Sequence, residues 1–247
     1  MNSKIFWLSI LAVIISFFGG FYLANSLNGN EISKLRAENE QLKKGVPENS
    51  PETSDNGLSD EEIRQKIVEA DKNPTNLPFQ RNLGLALYRY GAMKQDANLI
   101  GESARLLQRV FDRNPKDYDV TVALGNAFFD IGFFKGDAPS MQKAREFYQT
   151  ALQQKPDDAD VKTDLGISYY VAVPPDYEKA SIELQKALDT NPKHERALLF
   201  MTQTFLKQNK PAEAEKYHTR LTEVNPNAPS LEKLSSQVSQ DDNEIKK

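Results

Sequence analysis

Residues 114–125 read NPKDYDVTVALG, and residues 155–166 read KPDDADVKTDLG. The second stretch is a partial copy of the first, 41 residues on, keeping the proline, the leucine nine positions later and the glycine after it. The pattern extends along the chain. Pro74, Pro115, Pro156, Pro192 and Pro226 are separated by 41, 41, 36 and 34 residues. Nine positions after the first four come Leu83, Leu124, Leu165 and Met201, followed directly by Gly84, Gly125, Gly166 and Thr202. Leu87, Phe128, Tyr169 and Phe205 lie three residues further on. Counting back from each closing proline gives Ser103, Ala144, Ala180 and Ala214, then Leu107, Tyr148, Leu184 and His218. Periods of this size mark a solenoid in which each unit buries its apolar face only against its neighbours.

These residue types have physical roles. A glycine where two helices cross lets the backbones approach, and a leucine or aromatic one turn away fills the space between them. Proline fixes φ and cannot continue the preceding helix, so it suits the start of the next unit. Four units exceed the three that stacking needs for a continuous core.

The set resembles the tetratricopeptide repeat family over roughly Asn73 to Asn227, most clearly in the repeated Leu-Gly pairs, YYVAVPPDYEKASIELQKALDTNP and PAEAEKYHTRLTEVNP. The resemblance implies an all-α solenoid of helical hairpins, four units over 74–227, each made of two antiparallel helices. The sequence departs from the family in two respects. The aromatic expected three residues before the leucine is replaced by Gln80, Thr121, Lys162 and Leu198. The first two units also carry seven extra residues, and the third two. These extra residues are expected between the helices, as enlarged turns in YGAMKQDANLIGES and IGFFKGDAPSMQKA. There they would form either a binding edge or tolerated loop length.

Ahead of the repeats, Ile5 to Ala24 is a run of twenty residues without a charge. It is long enough as a helix to cross a bilayer's hydrocarbon and too long for the core of a cleaved leader. A single transmembrane helix over 5–24 is expected, after a short flank at 1–4. Lys4 lies tight against the run, which favours the amino end inside and the bulk outside. Lys34, Arg36, Lys43 and Lys44 pull the other way. The reading that follows is a bacterial inner membrane protein with one span and a periplasmic carboxyl-terminal domain.

Ile32, Leu35, Asn39, Leu42 and Val46 are spaced as the a and d positions of a coiled coil over 31–46. Asn39 at an a position suits a parallel homodimer, and a lone solvated helix is the competing reading. Residues 47–57 are polar with prolines and read as a flexible linker. A helix capping the repeats is expected over 58–73, where Ser59 and Glu62 form a capping box and Leu58 faces Ile63 as a hydrophobic staple. Residues 228–240 are expected as a closing helix and 241–247 as a polar tail.

Composition narrows the function. The formal charge of −4 and a pI near 5.4 argue against a general nucleic-acid binder, and a mean hydropathy of −0.60 suits a largely soluble chain. Cysteine is absent, which excludes disulfides and thiolate metal sites. There is no HExxH, GxSxG or phosphate loop, so no catalytic residue, metal or cofactor is assigned and the chain is not read as an enzyme. Asp157, Asp158 and Asp160 suit a helix start better than a calcium loop, since the glycine and distal glutamate are missing. His194 reads as a surface histidine and His218 as a half-buried packing residue.

In the resembled family the first helix of each unit lines a concave face that holds partner segments. Carried over by repeat position, the resemblance implies a partner-binding face with Arg81, Leu85, Tyr88 and Arg89 in the first unit. The second unit supplies Asn126, Phe129 and Asp130, beside Asp119 and Val122. The third supplies Thr163, Ile167 and Tyr170, beside Asp160, and the fourth Arg196, Gln203 and Lys207, beside Leu199. The tyrosines and Phe129 would anchor apolar side chains, and Arg81, Arg89, Arg196 and Lys207 would meet acidic groups. The main expectation is a membrane-tethered adaptor for a partner protein or peptide. The alternatives are a structural scaffold subunit of an envelope complex, or an assembly factor similar to the repeat proteins of c-type cytochrome biogenesis. A regulator of a membrane-bound enzyme ranks behind these.

Overall fold

The structure, a computed structural model, describes residues 59–228 together with Leu231 and Leu234. The expected membrane helix at 5–24, the coiled coil at 31–46, the linker at 47–57, Leu58 of the staple and the tail at 241–247 lie outside the described residues, as does most of the closing helix at 228–240. Among the described residues no helix is long and apolar enough to cross a membrane. The described residues belong to one compact unit. Its described elements are nine helices: α1 (Asp60–Lys72), α2 (Leu77–Lys94), α3 (Ala97–Arg113), α4 (Tyr118–Lys135), α5 (Ala138–Gln154), α6 (Ala159–Tyr170), α7 (Tyr177–Thr190), α8 (Glu195–Lys207) and α9 (Pro211–Val224). α2 pairs with α3, α4 with α5, α6 with α7 and α8 with α9, and each pair stacks on the next.

The chain turns between units by one device used four times. Pro74, Pro115, Pro156 and Pro192 follow the C-cap of the preceding helix, and two residues later an N-cap opens the next. Asn76, Asp117 and Asp158 accept the backbone N–H of Phe79, Val120 and Val161 at 3.2, 3.2 and 2.9 Å. His194 does the same through Nδ1, accepting from Ala197 at 3.3 Å. Each cap satisfies an otherwise orphaned amide. α1 starts on the expected capping box, with Ser59 and Glu62 bonded reciprocally.

Inside each unit the helices meet where the sequence placed its small residue. A Cβ on Gly84 would lie 2.8 Å from Leu107, one on Gly125 2.6 Å from Tyr148, and one on Gly166 2.8 Å from Leu184. In the fourth unit Thr202 stands at this position, fully buried, its hydroxyl donating to the Leu198 carbonyl. Leu107, Val110, Val120 and Leu124 make a core between the first two units, and Tyr148, Ala151, Val161 and Leu165 one between the second and third. α1 closes the open end of the stack by burying Ile63 and Ala70 against Leu87 and Leu106. Gln80, standing where the family's aromatic was expected, is fully buried and donates to the Ala70 carbonyl at 2.5 Å and the Asn73 carbonyl at 3.2 Å. It thereby caps the end of α1. At the other end of the stack, Leu231 and Leu234 are both buried.

The extra residues of the first two units do not enlarge the turns. Only Gln95 and Asp96 separate α2 from α3, and only Gly136 and Asp137 separate α4 from α5. The insertion lengthens the helices, to 18 and 17 residues in each of these units against 13 and 14 in the fourth. Seven residues are about two helical turns, so the added length keeps the packing face in register. Gly91 and Gly132 follow Gly84 and Gly125 by seven positions and extend the close approach. A Cβ on Gly132 would sit 2.8 Å from the Met141 backbone nitrogen. The third unit alone has a longer link, 171–176, with a cis Val173–Pro174 bond.

Gly132→Ala is expected to destabilise the unit by about 1–3 kcal/mol, because the obstacle is backbone. Gly101 lies inside α3 with nothing within 4 Å of its would-be Cβ, so Gly101→Ala is expected to stabilise by about 0.5–1 kcal/mol. Chemical denaturation followed by circular dichroism separates the two.

Candidate functional site

Successive helices reverse direction, so α2, α4, α6 and α8 run parallel and form one face of the stack. This face carries the residues assigned to partner binding, at different depths. Leu85, Tyr88, Asn126, Tyr170 and Gln203 are half-buried along it, and Arg89 and Lys207 are exposed. Phe129, Asp130, Thr163 and Ile167 lie beneath the surface at 7, 6, 0 and 5 % exposure. Thr163 donates its hydroxyl to the Ala159 carbonyl at 2.7 Å. Phe129 stacks on Phe133, and Ile167 belongs to the core between the second and third units. The face therefore presents fewer side chains to a partner than repeat position alone implies.

Several of its polar groups bond across the joints between units. Arg81 of the first unit donates from Nε to Asp117 at 2.7 Å and from Nη2 to Asp119 at 2.8 Å, both in the second. The Tyr88 hydroxyl donates to Asp130 at 3.1 Å across the same joint. Tyr118 reaches from the second unit to Asp158 of the third. Between the third and fourth, Arg196 pairs with Asp164 and His194 Nε2 meets Asp160 at 2.9 Å. His194 is thus a cap and a joint residue, its side chain only 10 % exposed, rather than a surface histidine. Because its Nδ1 accepts from a backbone amide, the hydrogen bonds assign the proton to Nε2, which donates to Asp160. Asp158 is likewise a cap, so two members of the aspartate run have structural work. Among the described residues no group of three or more acidic or histidine side chains is placed to hold a metal ion.

The middle of the face is electrostatically strained. Burial raises the Asp130 carboxyl to about 7, with Asp164 adding to the rise and the Tyr88 hydroxyl opposing it. Burial also lifts Asp164 above the usual carboxylate range, although the Arg196 guanidinium opposes this. The Tyr88 hydroxyl is pushed well up by burial and then by the Asp130 charge. Asp164 was missed at the level of sequence. Its signal was a charge placed directly before the Leu165-Gly166 pair, on the helix's inward side. Tyr148 was read as a packing residue, yet its hydroxyl also rises into this face and donates to Asn126 at 2.9 Å. The arrangement holds units together.

Asp130 has consequences for stability. A carboxyl whose folded value exceeds its unfolded one binds its proton more tightly when folded. Its contribution to stability is full below the unfolded value of about 3.9 and is lost as pH rises to about 7. Asp130→Asn keeps an acceptor for Tyr88 and is expected to flatten the fall in unfolding free energy between about pH 4 and 7, while Asp164, also raised by burial, keeps its own contribution. An unchanged slope in urea denaturation across that window would falsify the assignment.

The Tetratricopeptide repeat family model matches residues 176–238. No curated protein sequence matches the chain. Among solved structures, a crystal structure of MamA aligns with a TM-score of 0.55 at 21% identity, covering 66% of this chain and 86% of that one. A MamA RS-1 double mutant aligns with a TM-score of 0.56 at 16% identity over 79% and 94% of the two chains. A thermophilic TPR protein of Thermus thermophilus aligns with a TM-score of 0.53 at 15% identity over 71% and 88%. At these identities the likeness is one of fold. The chain is thus similar to the tetratricopeptide repeat family over 176–238, and its helical hairpins stack as an all-α solenoid like those of the aligned structures.

Proposed function

We propose that this protein is an interaction scaffold, held at a membrane by residues 5–24, whose repeat unit presents a preformed face to a partner protein. The observation that carries the reading is the stitching of the concave face. Arg81, Arg196, Tyr88 and Asp130, which a peptide-capturing groove would offer to a ligand, are spent on joints between units. A face fixed in this way does not reorganise around a short peptide. It offers a rigid surface on which a folded partner can be positioned, at little ordering cost. What remains for contact is Leu85, Tyr170 and Gln203 on the surface, with the exposed Arg89 and Lys207 towards its rim. This favours the scaffold over a mobile adaptor for peptides. A role in c-type cytochrome assembly is a narrower form of the same proposal, and among the described residues none favours that partner over others.

The test is crosslinking in intact membranes followed by capture and mass spectrometry, comparing the native chain with Arg89→Glu/Lys207→Glu. Both positions are exposed, so the substitutions are expected to change stability by about 0.5 kcal/mol or less each. Loss of a partner from the variant alone is the expected outcome. Recovery of the same partners from both chains would remove the concave face from the proposal. Extraction of the chain from membranes by alkaline carbonate would remove the tether.

A further inference from the structure

The extra turns of the first two units lift residues that the packing does not use. Five large apolar side chains are well exposed among the described residues, and three of them, Met93 at 54 %, Phe134 at 39 % and Val173 at 82 %, sit at or just beyond the carboxyl ends of α2, α4 and α6. Since α2, α4 and α6 run parallel, these three positions share one edge of the stack. Met93 and Phe134 are equivalent, 41 residues apart, and each is followed by an exposed lysine, Lys94 and Lys135. Of the acidic residues at this edge, Asp96, Asp137 and Asp176 are half-buried and accept backbone amides at the starts of α3, α5 and α7, while Asp60, Glu61, Glu62 and Glu178 are exposed there, as are Lys179 and Lys210. The opposite edge, where the units join, exposes Asp119, Asp157, Asp160 and Glu195 beside its lysines.

The direction of the chain adds a second constraint. α1 runs antiparallel to α2, with Ala70 beside Gln80 near their link and Ile63 in the same cluster as Leu87. The amino end of α1 therefore lies on the same edge as Met93 and Phe134. The chain from the apolar stretch at 5–24 enters the unit there.

We infer that this edge, carrying Met93, Phe134 and Val173 with Lys94 and Lys135 beside them, rests on the surface of an anionic bilayer. The inference rests on the membrane-tether reading, because a tether supplies the local concentration, on the order of millimolar for short flexible linkers, that a small contact needs. The chemistry fits a lipid surface. Isolated apolar tips enter the headgroup boundary, and neighbouring lysines pair with lipid phosphates while their stems lie on apolar surface. The opposite edge then faces away, and the concave face stands at right angles to the membrane, open to a partner from the side.

The chain contains no cysteine, so a spin label can be placed at one chosen site in the full-length protein. Met93→Cys and Phe134→Cys on this edge, and Lys116→Cys and Asp157→Cys on the other, are each mixed with nanodiscs of phosphatidylcholine with and without phosphatidylglycerol. Co-elution with the discs reports the tether, and the balance of collisions with oxygen and with a water-soluble nickel complex reports immersion. Oxygen collisions should dominate at 93 and 134 and nickel collisions at 116 and 157. Lys94→Glu/Lys135→Glu should reduce immersion in the phosphatidylglycerol discs. Co-elution with aqueous readings at all four sites overturns the docking edge and leaves the tether. Failure to co-elute overturns both. Dipolar broadening at 93 and 134 without an oxygen gain assigns the edge to a second copy and overturns the bilayer as its occupant.

Discussion

Everything in the repeat unit depends on how closely two helices can approach at one point. At Gly84, Gly125 and Gly166 the missing side chain leaves room for Leu107, Tyr148 and Leu184 to lie against backbone. That contact fixes the spacing and rotation of each hairpin, and close packing leaves little freedom for either to drift. With each pair fixed, the apolar residues that remain must face the neighbouring pair, and the stack follows. The orientation of α2, α4, α6 and α8 on one face is therefore a consequence of packing on the other side of those helices.

The polar chemistry of the face formed by α2, α4, α6 and α8 is downstream of that geometry. Once parallel helices are held at contact distance, Tyr88 meets Asp130 and Asp164 meets Arg196 across the joints. Burying such groups is costly unless each has a partner, and a partnered network penalises any arrangement that separates it. Its net stabilisation is small, and Asp130 and Asp164 even work against the folded state at neutral pH.

The sequence made some of this legible and concealed the rest, for physical reasons. Proline, leucine and glycine at fixed offsets are local instructions, and the hairpins and their crossing points follow from them, as does the capping box at Ser59. Depth on the face is different. Thr163 and Tyr170 both belong to the inner side of α6, yet one is sealed and the other half-open, because burial depends on the adjacent unit and not on α6 alone. The insertion misled in an instructive way. Seven added residues containing glycine look like a loop, but Gly91 and Gly132 repeat the spacing of a helix face, and that period was the signal of a longer helix. His194 was misread because a histidine is seldom an N-cap, while its offset from Pro192 matches that of Asp117 from Pro115 and Asp158 from Pro156.

The lengthened hairpins bear on how such a chain can change. A helix rotates about 100° per residue, so most insertions into a packed hairpin would turn one apolar stripe away from the other. Seven residues shared between two facing helices return both stripes almost to their starting orientation. Gains and losses of this size are thus nearly silent to the core while moving the hairpin's tip by roughly 5 Å, about one turn of each helix. The tip is then the part of the molecule most open to variation. The 41-residue and 34-residue units stand as two positions of the same sliding joint, free to adjust reach without renegotiating the fold.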